Sequence, residues 1–421
     1  MTMQKEFSGQ RVTVMGLGTF GGSIGVIRYL VNQGADVTVT DLKSKDDLAS
    51  SMKKLKGLPL RYVMGRHEME DFVGAHLVVV SPAVPRNSKY IEAARKAGAR
   101  LTTEIGLFVE RCPATVCAVT GSNGKSTTVS MIGSILDKSD RNYWVGGNIG
   151  GTLLDSLPDM TENDAVVLEL SSFQLEWLDE MSWKPDISCV LNVMPNHLDR
   201  HGSYEQYLAV KSSILKYQLT GNIAVLVRDD PGSRSMSTRT RARVIWVSST
   251  DDISGFVFSE GSLAERTFRS VTPIVEIDKL AVRGRHMQLN ALAAAACARL
   301  LDCSVLETRE GLMAFKGLPH RMEPVGERDG VAFINDSKAT TPDAAAAAVN
   351  SIDGTVIPIF GGYDKQLPFE DMAAAIAGKV KWAALIGKTA SKIQAALNEQ
   401  SIESEIFGSL DEAVSTAAER A

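Results

Sequence analysis

The stretch from 118 to 128, AVTGSNGKSTT, is the part of this chain best equipped for chemistry. A strand-like run, residues 115–120, ends in a turn that holds Gly121, Ser122, Asn123 and Gly124. Lys125, Ser126 and Thr127 follow, and then a helical run over 128–136. Strand, glycine turn, Gly-Lys-Ser and helix in that order make a cradle for phosphate. Main-chain N–H groups and a helix N-terminus face the anion, a lysine reaches the outer phosphates, and a hydroxyl ligates Mg²⁺. Lys125 is expected as an exposed loop cation. The general pattern has a glycine six residues before the lysine, where this chain has Val119. The competing reading, an ordinary strand–turn–helix corner, gives Gly-Lys-Ser no reason to sit at the junction.

Five further clusters fall at strand ends or in the loops after them, where open α/β sheets bind ligands. GGNIG (146–150) presents Asn148. LELSSFQLE offers Glu169, then Ser171 and Gln174; a carboxylate beside a phosphate loop suits Mg²⁺. NHLDRH carries His197, Asp199, Arg200 and His201, with Lys211 on a helix downstream. GRHMQLN sets His286 and Asn290 one turn apart. The last cluster, from GLPHRME to NDSKATT, holds His320, Arg321, Asp336, Lys338 and Thr340, and FGGYDK then ends at Lys365. Each has an ordinary alternative: Glu169 could cap a helix, His197 could be a satisfied loop histidine, and most helical lysines are surface residues. The alternatives lose ground together, because four of the six histidines lie in these few segments.

Elements that would position these groups alternate between strand and helix along the whole chain, which predicts α/β domains with largely parallel sheets. The first unit opens with RVTVMG, the glycine turn 16–21, a helix to about Asn32 and a second strand running into Asp41, twenty residues after Gly21. That is the dinucleotide-binding βαβ pattern, its acidic residue placed for a ribose hydroxyl. The second unit carries the phosphate loop and strands near 165–170, 187–193 and 223–227. Its polar segment 233–277 reads as a peripheral, partly antiparallel sheet, before an Ala-rich helix over 287–301. The third unit has strands VAFIN, VIPIF and AALIG, each followed by a helix. The expected domains are 1–104, Rossmann-like; 105–316, a P-loop ATPase-type α/β domain; and 317–421, Rossmann-like again.

A chain of 421 residues with formal charge −5 and no Lys/Arg-rich block excludes a nucleic-acid partner. No apolar run reaches membrane-spanning length, and MTMQKEFSGQ has no signal-peptide pattern. Five cysteines, none in a CxxC pair, read as small buried residues of a reducing cytosol. A cytoplasmic monomer is expected.

Over its whole length the sequence resembles the Mur ligases, and among them the D-glutamate-adding ones, through GSNGKSTT, GGNIG, LELSSFQLE, NHLDRH with Lys211, GLPHRME and NDSKATT. The resemblance implies ATP-dependent amide formation in bacterial peptidoglycan precursor synthesis. The carboxylate of UDP-N-acetylmuramoyl-L-alanine would be phosphorylated by ATP, and the amine of D-glutamate would displace the phosphate. By the same resemblance, Gly121 to Thr127 with Asn290, Arg321 and Asp336 would hold ATP. Ser126 and Glu169 would hold one Mg²⁺, and His197 with Lys211 a second, the lysine as a carbamate. Gly18, Thr19, Phe20, Asp41 and Lys43 would take the uridine diphosphate, and Asn148, Ser171 and Gln174 the muramoyl-alanine arm. Lys338, Thr340 and Lys365 would receive D-glutamate. In the family a further strand and a loop of the kind S-P-[AG]-x-[AS]-S-x-D-x-F follow the last helix. Neither follows Ala421, so weak use of D-glutamate is expected. Open alternatives are another Mur or folylpolyglutamate-type ligase, an NAD-dependent oxidoreductase read from the first glycine turn, and a non-catalytic nucleotide-binding protein.

Overall fold

A computed structural model describes residues 5–18, 23–82, 84–250, 253–282, 284–364 and 367–421. Three α/β bodies follow one another along the chain. The first is a five-stranded parallel sheet made of β1 (Arg11–Met15), β2 (Asp36–Asp41), β3 (Leu60–Met64), β4 (Leu77–Val80) and β5 (Arg100–Thr102). Its spatial order is β3-β2-β1-β4-β5. The strand order reverses between β1 and β4, which opens a crevice at their C-terminal ends. The apolar runs VTVM and LVVV are buried on both faces, as a doubly covered parallel sheet requires.

The second body is built on one nine-stranded sheet. Its strands are β6 (Thr115–Thr120), β7 (Tyr143–Gly147), β8 (Ala165–Glu169), β9 (Ile187–Val190), β10 (Ile223–Val227), β11 (Arg243–Ser248), β12 (Gly255–Ser259), β13 (Ser262–Arg266) and β14 (Val271–Glu276). The order is β14-β13-β12-β11-β10-β9-β6-β8-β7. β6 sits between β8 and β9, so Val119 faces Glu169 in register on one side and Cys189 on the other. Side chains alternate about the sheet: Val116 and Ala118 join the core on one face, Cys117 and Val119 that on the other. On the second face the Ala-rich helix Arg285–Leu300 lies against the helix Lys125–Leu136, its small side chains fully buried. The expected antiparallel periphery is β12 to β14. The Glu260–Gly261 turn, both residues at positive φ, closes the first of its hairpins.

The third body departs from the expected strand set in two places. VAFIN does not lie in the main sheet. It is β16 (Val331–Asn335), hairpin partner of β15 (Glu323–Arg328). The signal was Asp329-Gly330, whose φ of 52° and 82° make the two-residue turn that joins antiparallel strands. VIPIF becomes strand only as β17 (Ile359–Gly362), because Pro358 has no N–H to give the ladder. β17 pairs in parallel with β18 (Trp382–Gly387), and β18 with β19 (Glu403–Ile406).

Candidate active site

The C-terminal ends of β6, β8 and β9 meet at the phosphate loop. Residues 121–124 leave β6, and the helix begins at Lys125 with Gly124 as N-cap at φ 84°. That left-handed conformation suits glycine, and a Cβ there would come within 2.5 Å of Asn290 Oδ1. Asn192 clamps the loop from the end of β9. Its Oδ1 accepts the Asn123 N–H at 2.8 Å, and its Nδ2 donates to the Asn123 carbonyl at 3.0 Å. Ser122 is tied to Met194 through both its hydroxyl and the Met194 N–H. The loop is therefore rigid before any ligand arrives. Lys125 is not the exposed loop cation expected. It is the first helical residue, partly buried, with Nζ folded onto the Gly121 and Ser122 carbonyls at 3.0 and 3.1 Å. Burial, with the nearby Arg321 cation, lowers its pKa, while Glu169 supports the charged form.

Glu169, at the end of β8, is 2 % exposed. Its Oε1 accepts from Asn148 Nδ2 at 2.8 Å. Its Oε2 is buried with no hydrogen-bond partner in the structure. A buried carboxylate oxygen without a protein donor suits a cation, and Lys125 and Lys211 are both close enough for its charge to act on them. The helix-cap alternative fails: Ser171 is the N-cap, in a reciprocal capping box with Gln174. The glycines around Asn148 have a steric reason, since a Cβ on Gly147 would lie 2.3 Å from the Glu169 carbonyl oxygen.

Lys211 lies on the helix Tyr204–Lys216 and is 1 % exposed, so it is no surface lysine. Nζ donates to the Gly121 carbonyl at 2.9 Å and to Thr120 Oγ1 at 3.3 Å, and sits 4.9 Å from the centroid of the Tyr207 ring. Burial, then the neighbouring Lys125 cation, pushes its pKa well below the ordinary lysine range. An ammonium has no lone pair to offer a metal ion, and burial works against that charged form here. His197 caps the short helix Leu198–His201 at φ 52°, its ring 5.1 Å from that of Phe173. His201 is buried behind it, Nε2 at 3.0 Å from Ser172 Oγ and Nδ1 at 3.4 Å from Glu176 Oε1.

Two of the remaining expected residues reach the loop directly. Asn290 touches it at Gly124, and Arg321, from beyond the second body, places Nη2 3.4 Å from Ser126 Oγ. Thr127 is buried in the first turn of the helix. Asp336 accepts from the Met322 N–H at 3.0 Å, and burial raises its pKa. Lys338 and Thr340 are exposed. Asp41 is occupied by main chain: its carboxylate accepts from Leu17, Gly18 and Lys43 N–H groups at 2.9–3.0 Å and so braces the first glycine turn. Thr19, Phe20 and Lys365 lie outside the described residues.

These segments fall within spans that match known protein families. The Mur ligase middle-domain profile matches residues 119–298, the Mur ligase glutamate-ligase domain 320–421, and the Mur ligase MurD-like N-terminal domain 10–103. The UDP-N-acetylmuramoylalanine–D-glutamate ligase of Roseiflexus is 40 % identical over 417 residues, covering 97 % of this chain and 90 % of that protein. This chain belongs to the Mur ligase family. The enzyme of the same name from Symbiobacterium thermophilum is 38 % identical over 418 residues, 98 % of this chain and 90 % of its own. Among solved structures, the UDP-N-acetylmuramate–alanine ligase of Thermotoga maritima superposes with TM-score 0.61 at 19 % identity. The match covers 96 % of this chain and 91 % of that one, and it shows the shared three-domain Mur ligase architecture.

Two parts of this Mur ligase site went unread in the sequence. Tyr207 is 1 % exposed and joins Lys211 to Ser122, its hydroxyl 3.2 Å from Ser122 Oγ. Asn192, the loop clamp, lies within a segment that reads simply as strand and loop. Both act through tertiary contact, and no local pattern marks either.

Proposed function

We propose that this chain joins D-glutamate to UDP-N-acetylmuramoyl-L-alanine, with ATP converted to ADP and phosphate. The observation that carries the reading is the Glu169 carboxylate, one oxygen fixed by Asn148 and the other buried without a donor, beside a preformed phosphate loop. Lys125, Ser126 and the loop N–H groups bind the phosphates of ATP, and Arg321 reaches them from the third body. Asn290, which lies against the loop at Gly124, and Asp336, near Arg321, would hold the rest of the nucleotide. Glu169 and Ser126 would hold Mg²⁺, whose charge offsets that of an anionic carboxylate attacking an anionic phosphate. His197 would hold a second ion together with Lys211, whose buried amine, its pKa lowered by desolvation, would take up CO₂ as a carbamate. Gly18, Asp41 and Lys43 frame the crevice for the uridine diphosphate. Lys338 and Thr340, with Lys365, receive the two carboxylates of D-glutamate. Its amine displaces phosphate from the activated acyl group. The reaction belongs in the cytoplasm, where its nucleotide substrates are.

The test is phosphate release with UDP-N-acetylmuramoyl-L-alanine, ATP and a panel of amino acids. D-glutamate should outpace L-glutamate and D-aspartate by orders of magnitude, because a site for paired charges rejects misplaced ones. Equal use of L-glutamate, or release that ignores the amino acid, rejects the reading.

A further inference from the structure

The first two bodies meet at a junction built on Trp177, Arg86 and Arg200, of which only Arg200 was singled out in the sequence. Trp177, on the helix Ser172–Glu180 of the second body, is 1 % exposed and packs in the hydrophobic cluster of the first body with Met15, Phe72, Val80 and Ile91. Arg86, from the loop after β4, stacks on the Trp177 ring at 5.6 Å and pairs with Glu180. Arg200 closes the junction from the other side. Its Nη2 donates to the Val84 carbonyl at 3.2 Å and lies 3.3 Å from Glu176 Oε2, while its guanidinium covers the Phe173 ring at 5.2 Å. Glu176 and Phe173 in turn hold His201 and His197. One arginine therefore joins the loop beside the β1/β4 crevice to the histidine turn next to Lys211.

We infer that Arg200 is a positioning residue that sets the nucleotide-sugar crevice against the histidine turn, so that the substrate's reacting carboxylate arrives in register with the phosphate loop. The inference rests on the function proposed above. A guanidinium suits the task because it can bond a carbonyl and a carboxylate at once while stacking on an aromatic face. The Trp177 plug keeps the two bodies from separating, so loss of Arg200 changes their register and not their association. A displacement of about 1 Å at the reacting atoms costs about 100-fold in rate.

Arg200→Ala and Arg200→Lys, the second keeping a cation beside Glu176, should be compared with wild type in steady-state kinetics, thermal melting and hydrogen exchange. The expected result is a 10- to 100-fold loss (about two decades at most) of kcat/KM for UDP-N-acetylmuramoyl-L-alanine. KM for ATP and the melting temperature should stay put, and the lysine variant should recover part of the loss. In wild type, binding of UDP-N-acetylmuramoyl-L-alanine should slow exchange in 194–201, and Arg200→Ala should abolish that slowing. Kinetics close to wild type overturn the inference, and so does a loss shared equally by ATP or tracking a drop in melting temperature. If wild type turns over no amino acid, the functional reading fails on its own. The exchange experiment then decides the coupling, and an unchanged 194–201 segment on binding overturns it.

Discussion

Replacing Glu169 with glutamine should make the protein more stable and inactive at once. The side chain is 2 % exposed, so its charge is held out of water. One oxygen has a single charge-assisted bond, from Asn148, and the other has none. A buried charge is compensated only when its remaining lone pairs are satisfied. Lys125 and Lys211 feel its charge but do not bond it, since both Nζ groups donate to loop carbonyls instead. Glutamine keeps the bond from Asn148 and removes the charge. Relief of the imperfectly paired ion is worth about 1–2 kcal/mol on the scale of buried ion replacements. For a domain of this size that is a rise of roughly 2–8 °C in melting temperature. The assay is a thermal melt without ligands, beside phosphate release under saturating substrates, where activity should fall by about 10²- to 10³-fold. Added Mg²⁺ and nucleotide should stabilise wild type by mass action and the variant far less. A variant that melts lower than wild type, or keeps its turnover, would refute the claim that this carboxylate is held uncompensated for a cation.

Lys125→Ala should lower turnover by about 10²- to 10³-fold while costing only about 1 kcal/mol of stability, since it removes two loop bonds from a partly buried group; kinetics and a denaturant titration check both. Gly124→Ala meets a left-handed backbone and Asn290 at 2.5 Å, so it should cost about 1–2 kcal/mol and raise KM for ATP. Lys211→Met tests burial of the amine without bicarbonate. Because the folded-state pKa is depressed, below about pH 10.4 the unfolded chain holds a proton the folded chain lacks, and wild-type stability falls as pH drops from there until the folded pKa is passed. The methionine variant should lack that slope, so its advantage over wild type should grow as pH falls from about 10.4; parallel curves would contradict the lowered lysine pKa.

The phosphate loop was legible because its mechanism needs contiguous residues, and contiguity is what a sequence displays. Glu169 was legible by its place at a strand end, next in the sheet to the strand that feeds the loop. Burial was not. Lys211 reads as any helical lysine, and only the packing of Tyr207 and the loop carbonyls around it takes it out of water. Ser171 and Gln174, expected at the substrate arm, also form a capping box that the same residues spell out. The Asp329-Gly330 hairpin was present in the text and went unread beside the stronger pattern of strands followed by helices. Trp177 carries no sign of its role, because the cluster it completes is assembled from residues between Met15 and Leu101, 76 to 162 positions away.

The central claim is that the loop and Glu169 serve to activate a carboxylate as an acyl phosphate, and oxygen transfer measures this directly. UDP-N-acetylmuramoyl-L-alanine labelled with ¹⁸O in the alanine carboxylate should be turned over with ATP and D-glutamate, and the released phosphate analysed by mass. The carboxylate oxygen that attacks phosphorus leaves with it when the amine displaces phosphate. The account predicts one ¹⁸O in every phosphate released from fully labelled substrate, and phosphate free of label would contradict it.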